Sequence, residues 1–209
     1  MGDRRASGFE HLCDCDPVLS ELVAARGPLD AAERRRGRPE DAYGALVRSI
    51  VGQQLSVKAA RTIYDRVCEL YGGRTPTPAE LIATEPEPLR GAGLSGAKVR
   101  YLRDLAEHIE RGDLDLARLP ELTDDEVADA LLPVKGLGRW TVDMFLIFHL
   151  QRPDILPVGD LGVRRAAQLA YGLDDLPDAT TLTALADPWR PHRSLASLYL
   201  WASLDNTPT

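Results

Sequence analysis

Apolar residues recur at helical spacing along almost the whole of this chain, and no segment competes with them as a strand. Within Asp41 to Gln54, Leu46, Val47, Ile50 and Val51 fall at that spacing. Ser56 is placed to cap a second run whose apolar positions, Ala60, Ile63, Tyr64, Val67 and Leu70, share a face; Gly72 and Gly73 end it. Pro76 and Pro78 introduce a short helical turn, and Ser95 opens an amphipathic stretch through Ile109 that Gly112 stops. Thr123-x-x-Glu126 reads as a capping box leading into Val127, Ala130 and Leu131. The segment Trp140 to Leu150 is apolar on nearly every face and is expected to be buried centrally. Further helices are expected over Leu161 to Tyr171, Thr181 to Ala186 and roughly Pro191 to Ser203. The one β-like piece, Asp154 to Val158, is short and contains Pro157, which has no N–H to give a ladder. The expectation is an all-α protein.

At 209 residues the chain suffices for one domain, read here as 1–209, or for two small lobes within it; about 70% of the unfolded surface is buried on folding at this size. Residues 26–40, with Arg34-Arg35-Arg36-Gly37-Arg38, read as an exposed basic connector, and Asn206 to Thr209 as a frayed end. Three cysteines, Cys13, Cys15 and Cys68, are too few for a four-thiolate cluster or a closed all-cysteine zinc site. They read as small hydrophobes, with the Cys13-x-Cys15 pair as a soft-metal alternative. No apolar run reaches the ~18 residues of a membrane span, and no secretory signal is visible. A cytoplasmic protein without a membrane partner is expected.

The segment Leu132 to Thr141, with Lys135, Gly136, Gly138 and Arg139, carries the most chemical information. Two glycines two apart between helices permit a tight turn and close backbone approach to something outside. The helix that follows presents unpaired N–H groups and a positive dipole end, which suits a phosphate. By spacing alone, an ordinary αα-hairpin with a glycine turn fits equally well.

Leu132 to Thr141 followed by Leu156-Pro157-Val158-Gly159-Asp160-Leu161-Gly162-Val163 resembles the helix-hairpin-helix (HhH-GPD) DNA glycosylases, in particular the AlkA-type branch of 3-methyladenine DNA glycosylases II. Leu46 to Ser56, Gly93-Leu94-Ser95 with Lys98, and Trp189 to Ser194 running on to Trp201 agree in order, so the resemblance spans about Asp41 to Ser203. It implies a two-lobed all-α domain with the active-site cleft between the lobes. It also implies a short form, since there is no room before Asp41 for the N-terminal α/β domain of longer members.

By this resemblance Asp160 is the catalytic carboxylate. Base departure leaves positive charge on the sugar, which a pre-placed carboxylate stabilises while it orients or deprotonates a water; without the resemblance, Asp160 would read as a helix N-cap. Bifunctional relatives carry a lysine nucleophile at the start of the second hairpin helix, where this chain has Trp140, so a monofunctional enzyme is implied. Trp140, Met144 and Trp201 fall in the base pocket, where indole faces attract a cationic alkylated purine by about 0.5–2 kcal/mol. Core packing is the alternative for either tryptophan. Gln53, Gln54 and Leu55 occupy the wedge region that fills the gap left by a flipped base, with Gln54 the first choice and Leu55 the second; a helix C-terminus with a glutamine cap is the alternative reading of the same residues. Ser56, Ser95, Lys98, Lys135, Gly136, Gly138, Arg139 and Arg164 are the remaining expected DNA-binding residues. The carbonyls of Leu132, Val134 and Leu137 are implied ligands of a structural Na+ or K+; no cofactor is required. The partner is double-stranded DNA with damaged bases, bound by a monomer, and the lesions are alkylated purines. Another damaged purine, oxidised or deaminated, or non-catalytic binding of damaged or abasic DNA, stands as the alternative.

A formal net charge of −7 argues at first against a nucleic-acid partner. Its distribution removes the objection. Residues 113–129 hold seven acidic side chains against one basic, whereas 133–170 hold five basic against three acidic and 44–72 four against two. The positive stretches coincide with the segments assigned to DNA.

Overall fold

The computed structural model describes residues 3–29 and 39–204, apart from the side chains of 3–7 and 57. Twelve α-helices and two 3-10 turns account for the ordered structure of those residues, with no strand among them. The basic connector expected over 26–40 falls largely, and the frayed end at Asn206 entirely, outside the described residues.

Two compact units are distinguished. The first comprises Met1–Arg36 and Leu146–Thr209. Its helices are α1 (Asp3–Cys15), α2 (Pro17–Arg26), α10 (Leu161–Ala170), α11 (Ala179–Leu185) and α12 (Arg193–Leu204). The second is Gly37–Phe145, with α3 (Ala42–Gly52), α4 (Val57–Glu69), α5 (Pro78–Ala83), α6 (Pro86–Gly91), α7 (Gly96–Glu110) and α8 (Asp124–Leu131). Helix α9 (Arg139–Phe148) contributes Phe145 to the second unit and Leu146 to the first.

Local chemistry explains the boundaries. Asp41, Ser56, Thr77, Ser95, Thr123, Asp160 and Asp178 each accept a bond from a first-turn N–H of the helix they precede, satisfying donors that have no partner inside the helix. At Thr77 and Thr123 the box is closed by Glu80 and Glu126. Helix α4 ends at Glu69, and Gly72 and Gly73, at φ 74° and 85°, reverse the chain beyond it.

In the first unit, α10 packs on α12 and α2 on both α1 and α12. The core there is built from Leu12, Leu19, Val163, Leu182, Trp189 and Tyr199, all essentially inaccessible to water. In the second, α7 is the central element, contacting α3, α5 and α6. Leu102 and Leu105 of α7, Leu46 and Ile50 of α3, Leu81 of α5 and Leu131 of α8 are fully buried, each worth about 1.5–3 kcal/mol of transfer free energy.

Three expectations are corrected. Helices α1 and α2 precede Asp41, where no element is assigned from sequence, and α6 lies between two expected ones. The segment from Trp140 is not buried throughout: Val142 and Leu146 are inaccessible, but Trp140 is 43% exposed. It shares its helix with the buried, acidic Asp143, so the run is less uniformly apolar than its hydropathy suggests.

Candidate active site

In the first unit, Asp160 directly precedes α10 and is buried. Its Oδ1 accepts the backbone N–H of Val163 at 2.8 Å and the indole N–H of Trp201, from α12, also at 2.8 Å. Trp201 is stacked on Phe148, with ring centroids 5.8 Å apart. A carboxylate at a helix N-terminus is stabilised in its charged form by backbone N–H groups and the helix dipole. The second donor, from a stacked ring, fixes its rotation as well.

Gly162 makes this possible. A Cβ there would stand 3.0 Å from Asp160 Oδ1 and 3.1 Å from Trp201 Cδ1 and Nε1. A glycine inside a helix costs about 0.5–1 kcal/mol relative to alanine, and here the absent methyl lets the indole reach the carboxylate. No role is assigned to Gly162 from sequence, although a glycine within the first turn of a helix is itself a sign of close approach.

In the second unit, the segment between α8 and α9 forms the hairpin. Val134 N–H donates to Leu131 O, Leu137 N–H to Val134 O, and Val142 N–H to Gly138 O, each at 3.1 Å. Gly136 sits at φ 88°, and a Cβ on it would collide with the ring of Tyr101. Its close approach is therefore to Tyr101 of α7, inside the molecule. At Gly138 the space is open, with no atom within 4 Å of an added Cβ. There the expected outward approach has room.

Lys135 and Arg139, expected to meet phosphates, are both held by carboxylates. Lys135 Nζ lies 2.9 Å from Asp104 Oδ1 and its backbone N–H donates to Asp104 Oδ2 at 2.8 Å. Burial pushes the Asp104 pKa up, but the two Lys135 donors outweigh it, and the carboxyl is held below its ordinary value. Arg139 Nε donates to Asp143 Oδ1 at 3.0 Å, and burial raises the Asp143 pKa against the pull of Arg139. Both cations keep most of their side-chain surface in solvent, 76% for Lys135 and 57% for Arg139.

The turn joining α3 to α4 holds the expected wedge. Gln53 is turned inward, donating from Nε2 to Gly136 O at 2.7 Å. Gln54 is exposed at φ 59°, a left-handed conformation rare outside glycine, and Leu55 is 37% exposed. The structure thus separates the three: Gln53 binds the hairpin, while Gln54 and Leu55 project. Lys98, expected among the DNA contacts, donates from Nζ to Val51 O and Gln53 O, both at 2.8 Å. Ser56 and Ser95 are exposed caps, accepting from Ala59 and Lys98 N–H. Arg164 spends Nε on Pro177 O at 2.7 Å. Trp140 and the half-buried Met144 lie one turn apart on α9.

Comparison with known proteins now bears on these arrangements. A model of the HhH-GPD superfamily base excision DNA repair proteins matches residues 47–191. This chain belongs to that superfamily. DNA-3-methyladenine glycosylase 1 of Schizosaccharomyces pombe is 32% identical over 193 residues, covering 91% of this chain and 84% of the relative. A Bacillus subtilis relative, YfjP, is 32% identical over 169 residues; 78% of this chain matches 59% of that protein, so this chain spans under two thirds of it. Among solved structures, 3-methyladenine DNA glycosylase of the same yeast in complex with abasic DNA superposes with a TM-score of 0.86 at 30% identity, over 95% of this chain and 97% of that one. The all-helical fold of the superfamily is the fold seen here.

Among the described residues, no three His, Cys, Asp or Glu side chains are grouped to hold a metal ion. No helix there is long and apolar enough to cross a membrane.

Proposed function

We propose that this chain is a DNA glycosylase of base excision repair that removes alkylated purines, 3-methyladenine and 7-methylguanine in type, from double-stranded DNA. One observation carries the reading: the Asp160 carboxylate is buried at the start of α10, with Oδ1 held by the Val163 backbone N–H and the Trp201 indole N–H. A carboxylate so held is fixed in position before the substrate arrives. As the N-glycosidic bond breaks, positive charge grows on the sugar, and Asp160 stabilises it without having to reorganise. The same carboxylate orients the attacking water and accepts its proton. The products are the free base and an abasic site. Trp140 stands where bifunctional relatives place their lysine, so no Schiff base forms and the strand stays intact.

The remaining assignments follow the chemistry of each side chain. Trp140, Met144 and Trp201 receive the flipped base, and Gln54 and Leu55 fill the gap it leaves. Gly138, with its open backbone, meets a phosphate together with the exposed parts of Lys135 and Arg139. The Leu132, Val134 and Leu137 carbonyls would hold a Na+ or K+ ion. They are neutral oxygen donors, which suits a hard, weakly held cation, although Val134 O already accepts the Leu137 N–H. Such an ion would add positive charge beside the phosphate. The protein acts as a monomer in the cytoplasm and needs no cofactor.

Duplexes carrying one defined lesion each test the reading. The expected result is free 3-methyladenine or 7-methylguanine, with strand breaks only after alkali. Strand breaks without alkali would overturn the monofunctional assignment. Release confined to oxidised or deaminated purines would overturn the substrate, and binding without release would leave a damage binder.

A further inference from the structure

The wedge turn and the hairpin belong to different parts of the sequence, yet both are tied to a single row of side chains on α7. Lys98, Tyr101 and Asp104 follow one another three residues apart, along the ridge that such spacing makes on a helix. Lys98 reaches the turn through Val51 O and Gln53 O. Tyr101 fills the space that Gly136 leaves empty. Asp104 takes both the backbone N–H and the ammonium of Lys135. Gln53 then closes the circuit by donating to Gly136 O.

Charge is matched to each end of the row. The last carbonyls of a helix attract a cation, and Lys98 supplies it at the end of α3. The Lys135 backbone N–H and ammonium attract an anion, and Asp104 supplies it in the hairpin. Neither group is cheaply placed. Burial pushes the Lys98 pKa down, and Asp104 is only 9% exposed, with His108 Nδ1 3.4 Å from its Oδ2 and donating to its backbone carbonyl. Side chains held at such cost, with their charged ends spent on two loops, act on geometry rather than on bulk packing.

We infer that Lys98, Tyr101 and Asp104 are positioning residues, which lock the wedge turn Gln53–Ser56 and the hairpin Lys135–Arg139 into one rigid DNA-reading surface. The inference rests on the proposed glycosylase reading for its consequence, though not for its geometry. A wedge that wanders relative to the phosphate grip cannot hold the flipped state, so the loss falls on excision more than on binding of undamaged duplex.

Two measurements on the full chain test this. In hydrogen exchange on the free protein, Lys98→Met should speed amides 54–56 by about tenfold, and Asp104→Asn amides 135–137, with those of α4 unchanged. In single-turnover excision on an alkylated duplex, Lys98→Met should lose about 10- to 100-fold in rate. Its Kd for undamaged duplex should stay within about twofold, and Lys98→Arg should recover most of the rate. Wild-type exchange in both loops would overturn the inference, as would equal loss of rate and affinity in Lys98→Met, which marks a direct DNA contact. Should Lys98→Met fail to fold, Asp104→Asn decides through the same exchange measurement. Loosened loops in a protein whose wild type releases no alkylated base would refute the substrate reading and leave the positioning role standing.

Discussion

Asp16 and Asp160 begin alike and end with different partners. Both are buried, both cap a helix, and both accept an indole N–H from a distant tryptophan. At Asp16 both oxygens are committed. Oδ1 takes Val18 and Leu19 N–H, while Oδ2 takes the Tyr171 hydroxyl at 2.6 Å and the Trp189 indole at 2.8 Å. That carboxylate ties α1, α2, α10 and the turn before α12 into the core of the first unit, and burial and its negative charge together push the Tyr171 pKa up. At Asp160 the Val163 and Trp201 donors gather on one oxygen, Oδ1. The four donors on Asp16 join distant parts of the first unit into its core, whereas the Val163 and Trp201 donors set the rotation of the Asp160 carboxylate. Helix capping alone does not distinguish the two.

Short of removing the carboxylate itself, the largest effect is expected at Trp201. Trp201→Phe keeps an aromatic ring and deletes the N–H that fixes Asp160, so excision should fall by about 10- to 100-fold, with affinity for undamaged duplex within about threefold. An equal fall in both would assign Trp201 to packing alone. Asp16→Asn should do the opposite. Whichever way its amide turns, an NH2 group meets donors, and the Trp189 indole or the first-turn amides lose their acceptor. That costs about 1–3 kcal/mol, or about 2–4 °C in Tm per kcal/mol at this size, while excision below the transition is unchanged. A normal Tm would break the contrast from the structural side. Smallest is Gly162→Ala. Helix propensity favours alanine by about 0.5–1 kcal/mol, so Tm should hold or rise while excision falls about threefold as Asp160 and Trp201 give way. Unchanged excision would show that the crowding at Gly162 is harmless.

Much of this was legible in the sequence wherever the signal is local. Thr123 and Glu126 define a helix start through a bond between neighbours, and the Gly136–Gly138 turn marks the hairpin. Asp160 could be placed before a helix by the same reasoning, but its catalytic reading came only with the blocks around it. What sequence could not give depends on partners far along the chain. Asp104 meets Lys135 across 31 positions, Trp201 meets Asp160 across 41, and Asp16 meets Tyr171 across 155. Lys98 was read as a DNA contact through the resemblance carried by Gly93-Leu94-Ser95 with Lys98. Its ammonium instead serves carbonyls 45 and 47 positions away. A buried carboxylate such as Asp104, set among Leu102, Leu105 and Ala106, was the available clue: a charge on an apolar stretch has to be paired.

The proposed role has Asp160 perform chemistry from a position that looks structural. Asparagine is as good a helix cap as aspartate, and its amide oxygen can accept from both Val163 and Trp201. Single-turnover base release and Tm, measured together on Asp160→Asn, therefore separate the two roles. A catalytic Asp160 gives a loss of release of about a thousandfold or more, with stability within about 1 kcal/mol of wild type. Release at the wild-type rate, or a rate that falls only because the protein unfolds, would contradict it.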